Sequence, residues 1–159
     1  MGYMMDLRSL VGTRPLIMAG ACVLLCKEDS LLLQRRSDNG FWGLPGGAME
    51  PGEALTEVAR RELLEETGLI AGSLALFDVF SGPELYYKYP HGDEVYNVST
   101  AYICSDFEGM LKEDGTETLE LRFFEFDSIP QELSPPDRPV IHAFLERFII
   151  NKNNPEGGA

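Results

Sequence analysis

The sequence predicts an α/β (α+β) fold in which a mixed β-sheet lies between helices. Three observations carry that expectation. Short strand-like apolar runs recur from residue 16 to residue 126. Two stretches switch to helical spacing, one over residues 53–67 and one beginning near Pro136. The helices are interleaved with the strands, and such an order is satisfied by a sheet covered on both sides.

Residues 6–10 read as a short leading helix. Residues 16–26 form the longest apolar run, residues 27–30 are polar and turn-like, and residues 31–36 resume the apolar pattern, so the pair reads as a hairpin. Residues 41–44 make a short apolar segment that stops at Pro45-Gly46-Gly47, read as a loop. The helix over 53–67 ends at Gly68, a residue suited to the left-handed cap. Strands follow at 74–80, 84–89 and 94–104, the last two flanking a Pro90-His91-Gly92-Asp93 turn, and another at 119–126. In the final helix Val140, Ile141, Phe144, Leu145, Phe148 and Ile149 recur on one face. No repeat or linker divides the chain, so residues 1–150 read as one domain, with residues 151–159 a polar, Gly-rich tail expected to fray.

Length and composition agree: 159 residues, 44% hydrophobic and 25% charged, describe an ordinary globular chain. The formal net charge of -13 disfavours nucleic-acid duplexes and acidic membranes as partners. It also repels small anions, so a phosphate-handling site would need bound cations or a few arginines. The apolar run around Gly20 is too short to span a bilayer and lacks a signal-peptide flank. Met1-Gly2 does not continue into a myristoylation pattern, because Asp6 stands where Ser or Thr is required. Cys22, Cys26 and Cys104 have no metal-ligand spacing and read as buried free thiols, which suits a reducing, cytoplasmic location.

The helix over 53–67 breaks its own pattern. At about 100° per residue, Leu55, Val58 and Ala59 fall on one face, and Glu62, Glu65 and Glu66 continue that face. Like charges at this spacing cost roughly 0.2–0.5 kcal/mol per pair. Carboxylates in the last turn also oppose the helix dipole. A local conflict of this kind is expected at functional sites. A bound cation resolves it, and converging carboxylates without Cys or His favour Mg²⁺ or Mn²⁺. Arg61 can pair with Glu57 or Glu65 and steady the group, while Gly46 and Gly47 leave backbone open to close approach, with a carbonyl available as a further oxygen ligand. A solvated acidic face is the competing reading.

Gly47 begins a segment that resembles the Nudix box, G-x5-E-x7-R-E-U-x-E-E-x-G-U, with U a bulky aliphatic. Glu53, then Arg61-Glu62-Leu63-Leu64-Glu65-Glu66-Thr67-Gly68-Leu69, meet every specified position, and Trp42-Gly43-Leu44-Pro45-Gly46 is similar to the usual lead-in. The resemblance implies the Nudix α/β/α sandwich and hydrolysis of a nucleoside diphosphate linked to another group. It implies metal ligation by Glu62, Glu65, Glu66 and the Gly46 carbonyl, with Glu62, Glu65 and Arg61 in the catalytic set and Glu53 structural. The general base varies in the family; candidates are Glu62, Glu117 and Glu120. Of Arg35 and Arg36, which point to opposite faces of a strand, one would contact phosphate. Tyr86, Tyr87, Tyr89 and Trp42 read as packing residues, and His91 and His142 as surface or capping residues. Some members of the family are dimers, and an exposed strand or the leading helix would support a homodimer. Two other readings are a non-catalytic nucleotide-sensing Nudix module and an isoprenoid-diphosphate isomerase. The first goes with lost glutamates, and none is lost here. The second needs a catalytic cysteine, and Cys22, Cys26 and Cys104 carry no such signature.

Overall fold

A computed structural model describes residues 2–153. Met1 and residues 154–159, most of the expected tail, lie outside them.

The fold is α+β, a curled mixed sheet with helices. Strand β1 (Leu16–Lys27) is its spine. It pairs in parallel with β8 (Glu94–Cys104), from Leu16 opposite Val95 to Leu25 opposite Cys104. At its far end β1 turns into β2 (Ser30–Arg36) as the expected hairpin, but the two pair only at Cys26–Leu31 and Lys27–Ser30. Beyond that point β2 peels away. It continues against β10 (Thr118–Glu125) on one side and β3 (Trp42–Gly43) on the other. The vacated edge of β1 is taken by β4 (Gly46–Ala48), with Cys22 opposite Gly46 and Ala21 opposite Gly47. Strands β6 (Ala75–Phe80) and β7 (Tyr86–Lys88) both pair with β8. A separate ribbon joins β5 (Leu69–Ala71) to β9 (Phe107–Gly109).

The alternation of β1 explains its unbroken apolar run. Val23 and Leu25 face helix α2 (Leu55–Thr67) with Leu32, Val58, Ala59, Leu63 and Tyr102. Leu24 and Cys26 face the other way, with Leu31, Leu33, Phe77, Val140, Ile141 and Phe144, against helix α3 (Arg138–Asn153). A strand covered on both faces needs no polar face. Burying each such Val or Leu contributes about 1.5–3 kcal/mol. Helix α1 (Tyr3–Val11) is pinned by Arg8, which donates to the carbonyls of Gly12, Arg14 and Glu94.

Some elements differ from expectation. Gly46 and Gly47 are not a bend: they form β4, and neither has a positive φ. Glycine is needed there for space, since a Cβ on Gly46 would come within 2.4 Å of the Ala21 carbonyl. Residues 83–85 form a 3-10 turn rather than the start of a strand. The short strands β5 and β9 carried no visible periodicity. Helix α2 starts at Leu55, with Glu57 accepting from the Ala54 N–H at 3.2 Å as one half of a capping box. It ends at Gly68 (φ 79°), as expected. Residues 151–153, expected to fray, are the last residues of α3.

Candidate active site

Arg61 organises the junction between β4 and α2. Its guanidinium grips Glu53 through two 2.8 Å hydrogen bonds, donates to Glu62 at 2.8 Å, and reaches the Ala48 carbonyl at 3.2 Å. The planar fork matches this bidentate geometry, which a lysine would not reproduce. Glu53 also accepts the Glu50 N–H at 2.7 Å, so the loop before α2 is tied to its middle turn. Hydrogen bonds from Arg61, then the Glu50 N–H, bring the Glu53 carboxyl down to about 2. Glu57, named beside Glu65 as an alternative partner for Arg61, instead caps the helix start.

Deeper in, Glu62 and Glu66 lie one helical turn apart, close enough that each affects the other's proton affinity. The Glu62 side chain is 14% exposed and Glu66 is 8% exposed. Burial raises the proton affinity of both; at Glu66 the neighbouring Glu62 charge adds to it, and hydrogen bonds from Gly46 and Gln34 oppose it. The Gly46 N–H donates to Glu66 Oε2 at 2.9 Å, and Gln34 Nε2 donates to the same oxygen at 3.2 Å. Gly47 leaves the space that the Glu62 carboxyl fills: a Cβ there would sit 2.6 Å from it.

Glu65 departs from the expected convergence. Its side chain is 58% exposed and meets Arg61 at 3.5 Å, at the rim rather than in the Glu62–Glu66 pair. Among the described residues, no three His, Cys, Asp or Glu side chains already stand in a metal-holding group. The Glu62–Glu66 pair nonetheless fits a hard cation by its donor chemistry: it offers two carboxylates, both disfavoured as anions by burial, set against a backbone that lacks side chains.

The other face of β4 floors a cavity of about 110 Å³. Gly46 and Gly47 belong to both sites; the glutamates themselves do not line the cavity. Arg36, Tyr87, Tyr89 and Asp137 do. Arg36 makes a bidentate pair with Asp38 at 3.0 and 2.9 Å, whereas Arg35 is exposed. Tyr86 packs on Tyr96 as its alternation implies. Tyr87 and Tyr89 also pack, edge to face at 4.9 Å, and both line the cavity wall. Asp137 was not anticipated. It stands just before α3, yet its carboxyl turns inward to accept the Leu44 N–H at 3.1 Å. Burial pushes it up to about 6, against the opposing pull of that hydrogen bond and of Arg36. Its signal in the sequence was an acid directly before a helix, which reads first as a cap.

Of the other base candidates, Glu120 is paired with Arg122 on β10, and Glu117 is exposed at the loop entering that strand. Trp42 packs edge to face on Phe124 at 4.8 Å. The three cysteines are buried and free, and burial holds the Cys22 thiol at about 12 and Cys26 at about 11. Such thiols are inert.

Comparison with known proteins agrees with this architecture. The family model described as NUDIX domain matches residues 16–144. A Bacillus subtilis (strain 168) protein, provisionally named 8-oxo-dGTP diphosphatase, is 34% identical over 79% of this chain and 78% of its own length. The ADP-ribose pyrophosphatase of Methanocaldococcus jannaschii is 36% identical over 66% of this chain and 60% of its own. The NAD-capped RNA hydrolase NudC of Salmonella typhi is 31% identical over 79% of this chain but only 46% of its own length. The chain thus spans about half to four fifths of the relatives it matches. Among solved structures, a MutT NUDIX hydrolase from Burkholderia pseudomallei superposes with a TM-score of 0.69 at 24% identity, covering 80% of this chain and 97% of that one. A UDP-X diphosphatase does so at 0.64 and 21%, covering 92% and 70%. The chain belongs to the NUDIX family and is a Nudix hydrolase, of the enzyme class that these relatives' names describe as diphosphatases and pyrophosphatases. Among the described residues no helix is long and apolar enough to cross a membrane.

Proposed function

We propose that this protein hydrolyses the diphosphate linkage of a small nucleotide, a nucleoside diphosphate joined to another group, with the help of Mg²⁺ or Mn²⁺. The observation that carries this reading is the half-buried Glu62 beside the buried Glu66, behind a glycine strand whose opposite face floors a cavity. Glu62 and Glu66 would hold the ion, with Glu65 and the Gly46 carbonyl as further oxygen ligands. When bound, the ion would neutralise diphosphate charge and acidify water. Arg61 holds Glu62 in place and fastens the loop to the helix. Tyr87 and Tyr89 offer aromatic surface to a base, and Arg36 offers positive charge in a chain of net charge -13. Glu62, Glu117 and Glu120 are the candidates for activating water, with Glu62 held by Arg61 and Glu120 by Arg122.

The relatives' named substrates, 8-oxo-dGTP, ADP-ribose and NAD-capped RNA, all contain a purine nucleotide with a phosphoric anhydride. The acidic surface favours the small ones over RNA. A panel of such compounds with Mg²⁺ or Mn²⁺, read as phosphate or nucleoside monophosphate release, tests the proposal. Turnover that needs the ion and disappears in Glu66→Gln, with the melting curve retained, is the expected result. A Glu66→Gln protein that still turns over would overturn the assignment.

A further inference from the structure

A buried polar chain runs from β10 to Glu66. Thr118, 3% exposed, donates its hydroxyl to Gln34 Oε1 at 3.1 Å. Gln34, 4% exposed, donates through Nε2 to Glu66 Oε2 at 3.2 Å and to the Leu44 carbonyl at 3.4 Å. The Gly46 N–H adds a second donor to the same Glu66 oxygen at 2.9 Å.

Gln34 is out of pattern. On β2, Leu32 faces α2, and Gln34 is the next residue on that side, where an apolar side chain would bury at lower cost. Its amide orientation is set by two acceptors: reversed, Oε1 would face both the Glu66 carboxyl and the Leu44 carbonyl, whereas the Thr118 hydroxyl can donate or accept and anchors the amide rather than choosing its orientation. Thr118 is itself fixed. Its N–H, with those of Thr116 and Glu117, donates to Asp114 Oδ1 at 3.0, 2.9 and 2.9 Å, and the β10 register shifts directly after it.

We propose that Gln34, anchored by Thr118, is the positioning residue of the metal site, fixing which oxygen of Glu66 is turned toward the ion. Two donors take up Oε2, which leaves Oε1 as the oxygen without a backbone or amide donor among the described residues. A carboxylate set in advance loses no rotamer freedom on binding. Outer partners of this kind typically carry ten- to a hundredfold in metal affinity. The inference rests on Glu66 being a metal ligand, as proposed above.

The test is a calorimetric titration of the substrate-free protein with Mn²⁺, paired with thermal melts. Gln34→Met keeps the volume and removes the donors, and is expected to weaken Mn²⁺ binding by about ten- to a hundredfold. Thr118→Val removes only the hydroxyl that anchors the amide and is expected to weaken it about fivefold, while Thr118→Ser restores wild-type binding. If Gln34→Met does not fold, the two Thr118 variants decide. Wild-type Mn²⁺ affinity in Gln34→Met or in Thr118→Val, with binding lost in Glu66→Gln, overturns the positioning role and leaves the metal ligand standing. Thr118→Ser as weak as Thr118→Val shows packing rather than the hydroxyl at work, and also overturns it. Wild-type protein without Glu66-dependent Mn²⁺ binding overturns both readings together.

Discussion

Asp137→Asn should make the protein more stable at neutral pH and leave it unchanged in acid. The Asp137 carboxyl is held at about 6 instead of 3.8, chiefly by burial. The folded protein therefore binds this proton more tightly than the unfolded chain does. Between pH 4 and 6 the wild type loses stability as pH rises, and above about pH 6 the whole penalty is present. A rise of this size, which already includes the opposing pull of Arg36, corresponds to about 3 kcal/mol. Asparagine keeps an oxygen for the Leu44 N–H and carries no charge, so the lost hydrogen bond does not enter the difference. Paired urea unfolding of wild type and variant, with chelator present, from pH 4 to pH 8 measures the gap. Taking the difference cancels the titration of Glu62 and Glu66, whose proton affinities are also raised. The gap should open from near zero at pH 4 to as much as about 3 kcal/mol at pH 7. A gap independent of pH, or one that closes with rising pH, would refute the reasoning. A buried acid that destabilises its own fold is expected where a ligand uses it. The more stable variant should therefore bind nucleotide less well.

Two further substitutions probe the junction of β4 and α2. Gly47→Ala should displace the Glu62 carboxyl, whose atoms lie 2.6 Å from the new Cβ, at little cost in stability because that carboxyl is the far end of a flexible side chain. Turnover should fall more than the melting temperature does, and full activity in this variant would show that Glu62 need not occupy that space. Arg61→Lys retains charge but cannot grip Glu53 with two bonds while reaching Glu62 and Ala48. It should lower both the melting temperature and kcat, and wild-type values for both would remove Arg61 from its organising role.

Much of the fold was legible because its signals are local. The apolar run of β1, the helical spacing of Leu55, Val58 and Ala59, and the Gly68 cap each follow from a few neighbouring residues. The short strands β4, β5 and β9 were not legible. Strands of this length have no periodicity of their own and exist because a longer strand or ribbon partner supplies their hydrogen bonds. Gly46 and Gly47 read as a bend for that reason, although what they provide is clearance for Ala21 and Glu62.

The sequence by itself determined the family and the helix that carries the acids, since spacing along one helix is a local property. Helical spacing alone does not separate Glu66 from Glu65: both lie near the stripe, and only packing against β4 buries one and leaves the other at the rim. The tertiary structure alone also brought Gln34 to Glu66 across 32 residues of chain and Thr118 to Gln34 across 84, and turned Asp137 into the cavity. Those contacts depend on strand register and on where β2 leaves β1, quantities that emerge only when distant segments pack together.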